Sequence, residues 1–353
     1  MNQYTTEAIR VLTRLIETPS VSREEEEAAN IMEATLRDYG FEPHREVNNV
    51  WAFAQEYHPD QPTLLLNAHL DTVRAVKSWT FNPFRANLEG DRLYGLGSND
   101  CGGGLVALLQ AFRQLATMPL SCNLVYLASA EEEVSGKNGI ARVLPLLPPI
   151  DVAIVGEPTG MQPAVAEKGL MVLDVTAYGR SGHAARNEGE NAIYKALADL
   201  NWFQTYHFER ESSFLGPTKM QVTVIQAGTQ HNVVPDECRM VVDVRTNECY
   251  TNEEVFDIIC QHVGSEVKAR SFRLGSSSIP LTHPLVVRCV EMGMTPFGSP
   301  TLSDQALMSF PSLKLGPGES ARSHSSDEFI MVSEIEHAIS TYVELLGNVS
   351  LST

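Results

Sequence analysis

Between residues 63 and 157 the chain repeats one device, an apolar run of strand length that closes on a residue able to do chemistry. "TLLLNAH" ends at His69, "NLVYLASA" leads into Glu131, Glu132 and Glu133, and "DVAIVGE" ends at Glu157. Short continuous apolar runs mark strands buried on both faces, and helical stretches such as "GGLVALLQAFRQLA" and "NGIARVLPLL" stand between them. This alternation predicts an α/β fold, a three-layer arrangement with helices packed on a sheet. Ligands of such sheets gather beyond the carboxyl ends of the strands, so residues far apart in sequence can converge there.

From residue 169 to about 275 the rhythm changes. Strand "LMVLDVTAYG", helix "NAIYKALADLNWF", strands "KMQVTVIQAG" and "CRMVVDVR", helix "NEEVFDIICQHV" and strand "EVKARSF" spell β-α-β-β-α-β, a ferredoxin-like unit. At 353 residues two cores are expected. The predicted division is therefore a first domain of residues 1–168 and 276–353, with residues 169–275 inserted into it. The last stretch ends on an amphipathic helix, "SEIEHAISTYVELLG", expected to cover the first sheet.

Composition narrows the partners. Against 26 Lys and Arg stand 44 Asp and Glu, a net charge of −18, which argues against nucleic acid or an anionic membrane as partner, because phosphate binding requires basic patches. A small molecule is the expected partner. No apolar stretch approaches the ~20 residues of a membrane span. The N-terminal "MNQYTTEAIRVLTRLIETPS" is predicted as an amphipathic helix with Ile9, Leu12, Leu15 and Ile16 on one face rather than an export signal, so a cytoplasmic protein is expected. Six scattered cysteines form no CxxC pair and are expected to be reduced. "REEEEA" is predicted to be a solvated helix face, with Ser22 and Glu25 spaced as a capping box.

Five segments each bring a histidine or carboxylate. In "NAHLDTV" His69 and Asp71 lie two apart and so face one way in an extended segment, which suits a metal-binding imidazole oriented by a carboxylate. "YGLGSNDCGGG" places Asp100 at a glycine-rich turn before a helix, where backbone can approach closely. "SAEEEVSG" crowds three carboxylates after a strand, costly unless a cation or a raised pKa relieves them. "AIVGEPT" adds Glu157 and "ARSHSSDEF" adds His324. Two histidines and several carboxylates without thiolate suit zinc, cobalt or manganese.

The motifs "HLDTV", "GSNDCGGG", "EEEVS", "GEPT", "SGHAA" and "HSSDE", in this order along the whole chain, resemble the M20 family of metallopeptidases and amidohydrolases. The resemblance implies a zinc-peptidase-like catalytic domain, an inserted dimerisation domain and a homodimer. It implies two Zn2+ ions, with Co2+ or Mn2+ as substitutes, bridged by Asp100. His69 and Glu157 would serve one ion and Glu133 and His324 the other, with Glu132 as general base and Asp71 orienting His69. Residue type alone does not rank the three neighbouring glutamates. His183 in "YGRSGHAA" would reach across a dimer interface to the oxyanion of the other subunit. Arg245, Asn232 and Lys168 match places where the family holds a substrate carboxylate, a task that suits a guanidinium fork. Ser303, Asp304 and the "LGPGES" loop with Gly318 would shape the pocket floor. The implied reaction is hydrolysis of the amide of an Nα-acyl amino acid, N-acetylornithine first and N-succinylornithine next, with N-succinyl-diaminopimelate or a di- or tripeptide as rivals. One departure stands out: Cys101 and extra glycines follow Asp100 where a small residue such as alanine is common.

Overall fold

Strands Thr63–His69, Asn123–Ser129, Val152–Val155 and Ser312–Lys314 are buried at every position in the computed structural model, which describes residues 2–186, 188–347 and 349–351. That is why their sequences read as continuous apolar runs. Residues 1–165, 278–297 and 303–353 form one unit, and residues 166–277 and 298–302 another.

In the first unit the central sheet contains the strand order Asn49–Phe53, Asn123–Ser129, Thr63–His69, Val152–Val155, Ser312–Lys314. The last four are mutually parallel, and Asn49–Phe53 runs antiparallel to its neighbour, so the sheet is mixed. The register sets His69 opposite Ser129 and Asn67 opposite Val155. Thr63–His69 and Asn123–Ser129 thus end level and Val152–Val155 two residues short of them, so the residues that follow the three strands share one rim. Helix Gly103–Leu115 buries 11 of its 13 residues and packs against Thr63–His69 on one side and helices Gln3–Ile16 and Val332–Gly347 on others. A helix apolar all round needs such cover. The C-terminal helix packs beside this helix and also reaches the central sheet, where its Tyr342 hydroxyl donates to the carbonyl of Leu315 just beyond Ser312–Lys314. In the N-terminal helix the buried face is Ala8, Val11, Leu12 and Ile16, with Ile9 and Leu15 at its margins.

The glycines after Asp100 have a steric cause. A Cβ on Gly104 would stand 1.6 Å from the carbonyl oxygen of Gly156, so the start of the helix docks against the backbone just before Glu157. "NGIARVLPLL" yields only one α-turn, Ile140–Val143, and the 3-10 turn Leu144–Leu146, because Pro145 cannot continue a helix.

The expected capping box at Ser22 and Glu25 does not form. Ser22 gives its hydroxyl to Asp71 at 2.7 Å, and helix Glu26–Asp38 starts without a side-chain cap. Glu25 is fully buried, not solvated, and accepts Arg23 N–H, Glu131 N–H and the Asn48 amide.

The second unit is a four-stranded antiparallel sheet, ordered Lys219–Ala227, Glu237–Arg245, Met171–Tyr178, Glu266–Ala269, with helices Ala192–Thr205 and Asn252–His262. Met171–Tyr178 alternates buried and half-buried residues, as a strand with one covered face must. Met171, Leu173, Val175, Phe203, Val255 and Ile259 belong to its core. Among the described residues no helix is long and apolar enough to cross a membrane, and all six cysteines are unpaired.

Candidate metal centre

Strand Thr63–His69 delivers His69 to the rim, where it is 2% exposed. Its Nδ1 faces the main-chain oxygen of Asp71 at 2.9 Å. Donation there fixes the tautomer and leaves Nε2 with its lone pair toward the cluster. Nε2 lies 3.3 Å from Asp100 Oδ1, 3.5 Å from Glu157 Oε1 and 3.8 Å from Glu132 Oε2.

The Asp71 carboxylate stands 3.6 Å from Nδ1. Its hydrogen bonds go elsewhere, Oδ1 accepting Glu132 N–H at 3.0 Å and Oδ2 accepting Glu133 N–H at 3.2 Å. The expectation that this side chain orients His69 is thereby amended. The Asp71 carbonyl does that, while the carboxylate fixes the glutamate turn.

The turn separates the three glutamates. Glu131 has φ 53°, and its carboxylate accepts the Asn138 main-chain and side-chain amides, away from the histidines. Glu132 and Glu133 point into the cluster. Glu133 Oε2 lies 2.9 Å from His324 Nε2, and Asp100 Oδ2 lies 3.6 Å from the same nitrogen. One oxygen of Asp100 thus faces His69 and the other faces His324.

The turn bearing Asp100 is itself held. Glu328, 2% exposed, accepts the N–H groups of Gly97 at 3.0 Å, Asn99 at 2.8 Å and Asp100 at 2.9 Å. The His324 loop is fastened by Arg322, whose guanidinium forks onto Glu334 at 2.7 and 3.0 Å. Gly318 sits behind the same turn with φ 83°, and a Cβ there would meet Asn99 Oδ1 at 2.2 Å. Asp304 is buried and accepts the Ser129 hydroxyl at 2.6 Å.

Electrostatics follow from crowding. Burial, reinforced by the charge of Asp100, pushes Glu157 up to about 8. Burial raises Glu132 well above the ordinary carboxylate range and Asp304 to about 6. The hydrogen bond with Glu133 lifts His324 to about 9. Ligand-type atoms of His69, Asp100 and Glu133 lie within 4.8 Å of one another, as do those of His69, Cys101 and Glu157. Buried carboxylates this close fit divalent cations, whose charge removes the repulsion that otherwise forces them to hold protons.

The remaining expected site residues belong to the second unit. His183 is exposed on the short strand Gly182–His183, paired with Val233–Val234, so the Asn232 carbonyl accepts the neighbouring Ala184 N–H. Arg245 forks onto Asp243 at 2.8 and 3.1 Å, which commits two of its nitrogens. The Lys168 amine is depressed by burial and by the charges of Lys219 and Arg245. Sequence reasoning missed Ser22, Glu25 and Glu328. Each acts on backbone donors or carboxylates remote in sequence, and no local spacing signals such a partner.

The model of peptidase family M20/M25/M40 matches residues 65–348. An acetylornithine deacetylase of Proteus mirabilis (strain HI4320) is 28% identical over 380 residues, covering 98% of this chain and 97% of that protein. A putative succinyl-diaminopimelate desuccinylase of Mycobacterium tuberculosis (strain ATCC 25618 / H37Rv) is 29% identical over 362 residues, covering 96% and 98%. Among solved structures, aminopeptidase PepT from Bacillus cereus superposes with a TM-score of 0.76 at 17% identity, covering 97% and 98%. The YXEP protein of Bacillus subtilis, described as a dinuclear metal binding peptidase, gives 0.71 at 17% identity, covering 98% of each chain.

Proposed function

Because the chain belongs to peptidase family M20/M25/M40 and is a metal-dependent hydrolase, we propose that it removes the acyl group from an Nα-acyl amino acid through a dizinc centre. The observation that carries this reading is the placement of Asp100, one oxygen toward His69 and the other toward His324, with Glu132 beside them. His69 and Glu157 would hold one ion, His324 and Glu133 the other, and Asp100 both. Zinc suits the donor set, cobalt or manganese could replace it, and when bound the ions would polarise the amide carbonyl and acidify a water.

Glu132 is the residue left to move protons. It takes one from the attacking water at its carboxylate and returns it to the departing nitrogen, so that amide plus water becomes carboxylate plus amine. Asp71 keeps Glu132 and Glu133 at fixed spacing through their N–H groups. The two glutamates can then divide ligation from proton transfer.

The second unit supplies substrate contacts and, in this proposal, a dimer interface. Helix Ala192–Thr205 leaves Ile193, Tyr194 and Leu197 exposed, and strand Lys219–Ala227, at the sheet edge, leaves Val224 and Ile225 exposed. An open edge strand beside apolar surface calls for a partner, and a second copy of the same face satisfies both. His183 then donates to the oxyanion of the partner's site. Lys168 and Arg245 would hold the α-carboxylate, with Asn232 adding an amide; Arg245 exchanges part of its pairing with Asp243 to do so. Gly318 shapes the floor.

The substrate we favour is N-acetylornithine, followed by its N-succinyl analogue. Support comes from the deacetylase relative, similar over its whole length, and from a net −18 that attracts a side chain bearing an ammonium. The rival, favoured by the desuccinylase relative and the peptidase-like structures, is N-succinyl-diaminopimelate or a short peptide. Values of kcat/KM for N-acetyl- and N-succinyl-ornithine, N-succinyl-diaminopimelate, N-acetylmethionine and Gly-Gly-Gly decide the matter. N-acetylornithine should lead. A lead of more than tenfold by the tripeptide or N-acetylmethionine, about 1.4 kcal/mol of transition-state binding, replaces this reading with a peptidase or a general aminoacylase.

A further inference from the structure

Cys101 follows the shared aspartate and is 1% exposed. Its sulfur accepts the main-chain N–H of His69 at 3.2 Å, and its thiol donates to the His69 carbonyl at 3.4 Å. The side chain is thus pinned to the residue that carries the cluster's buried imidazole. A His69 ring nitrogen, Cys101 Sγ and a Glu157 oxygen all lie within 4.8 Å of one another. Around His324 the neighbouring donors are the carboxylates of Glu133 and Asp100, and the cluster that holds Glu133 joins it to His69 and Asp100. The two halves of the centre therefore differ in kind, one offering nitrogen, sulfur and oxygen, the other nitrogen and oxygen.

Resting on the reading of this cluster as a metal centre, we propose that Cys101 is a ligand of the His69–Glu157 half and makes that half selective for thiophilic divalent cations. On binding, the S–H bond breaks, its proton leaves to solvent, and the sulfur electron pair goes to the cation. The His69 N–H remains directed at the sulfur and stabilises the thiolate, as donors to ligating groups do. Thiolate favours zinc and cadmium, whereas an all-oxygen and imidazole set also accepts manganese. The His69 half should therefore discriminate by softness and the His324 half should not.

Two measurements on the unaltered full-length protein test this. Loaded to two zinc ions per chain, it should show by X-ray absorption a sulfur scatterer at about 2.3 Å from one of the two ions, an average of roughly half a sulfur per zinc. Loaded with cobalt, it should show a sulfur-to-cobalt charge-transfer band in the near ultraviolet. Cys101→Ser and Cys101→Ala should both lose the sulfur signal while still binding two cobalt ions at saturation. Their cadmium affinity should fall roughly 10-fold or more, with manganese affinity little changed. Two bound ions without any sulfur signal would overturn the proposal and leave the metal-centre reading standing, with Cys101 a packing residue under His69. A sulfur signal that survives in both variants would assign it to another cysteine and equally overturn it. Failure to bind any ion would remove both readings.

Discussion

Glu25, Asp71 and Glu328 are buried carboxylates whose recorded bonds are mostly to backbone N–H groups. Two turns depend on them, and the distinction between holding a turn and doing chemistry is measurable. In Glu328→Gln the NH2 must face at least one of these N–H donors, because Gly97 bonds one carboxylate oxygen and Asn99 and Asp100 the other. It should cost about 1–3 kcal/mol of stability and weaken metal binding roughly 10- to 100-fold, seen as a lower Tm and in metal titration. Glu132→Gln should instead keep Tm and both ions while turnover falls at least ~100-fold. Near-normal kcat in that variant, or a lost ion, removes Glu132 from its role. Much of this scale was hidden in the sequence. The histidines and acids were visible as residue types at strand ends. The φ of 53° that turns Glu131 aside was not, since no glycine or spacing marks it.

At the scale of elements the reading went further. Strands such as Asn123–Ser129 announce themselves because both faces are buried, and the alternation in Met171–Tyr178 reports a single covered face. The errors came where tertiary contacts outrank local pattern. In "REEEEA" Arg23, Glu24, Glu26 and Glu27 are exposed, as a solvated face requires, and Glu25 alone is buried by contacts made with Asn48 and Glu131. Leu197→Glu places a charge on an exposed apolar helix position without disturbing a core. By light scattering it should convert a dimer into a folded monomer. If His183 acts across the interface, kcat should drop with the metals retained; a monomer of undiminished kcat would place His183 outside catalysis in trans.

The whole molecule sets the proton balance of the centre. Glu157 and His324 must both lose a proton to ligate, and their folded values stand at about 8 and about 9. Below about 8 both protons compete with the cation, between 8 and 9 only that of His324, and above 9 neither. Metal affinity should therefore rise with pH through 8 and 9, with protons released on binding, as calorimetry in buffers of different ionisation enthalpy would record. A flat profile from pH 6 to 9 contradicts the assignment of these two ligands. The first unit is also discontinuous in sequence, and this bears on how the protein is made. The inserted unit, 166–277, is a nearly contiguous stretch, whereas Val152–Val155 waits for Ser312–Lys314 to pair along its outer side. At roughly 5–20 residues per second of synthesis, that wait lasts roughly 8 to 30 s. During it an apolar sheet edge needs protection, which makes the nascent chain a natural client of chaperones. His324 emerges later still, so the two-histidine centre can capture its ions only after the inserted unit and most of the first have been synthesised, and metal uptake becomes a late consequence of folding rather than a nucleus for it.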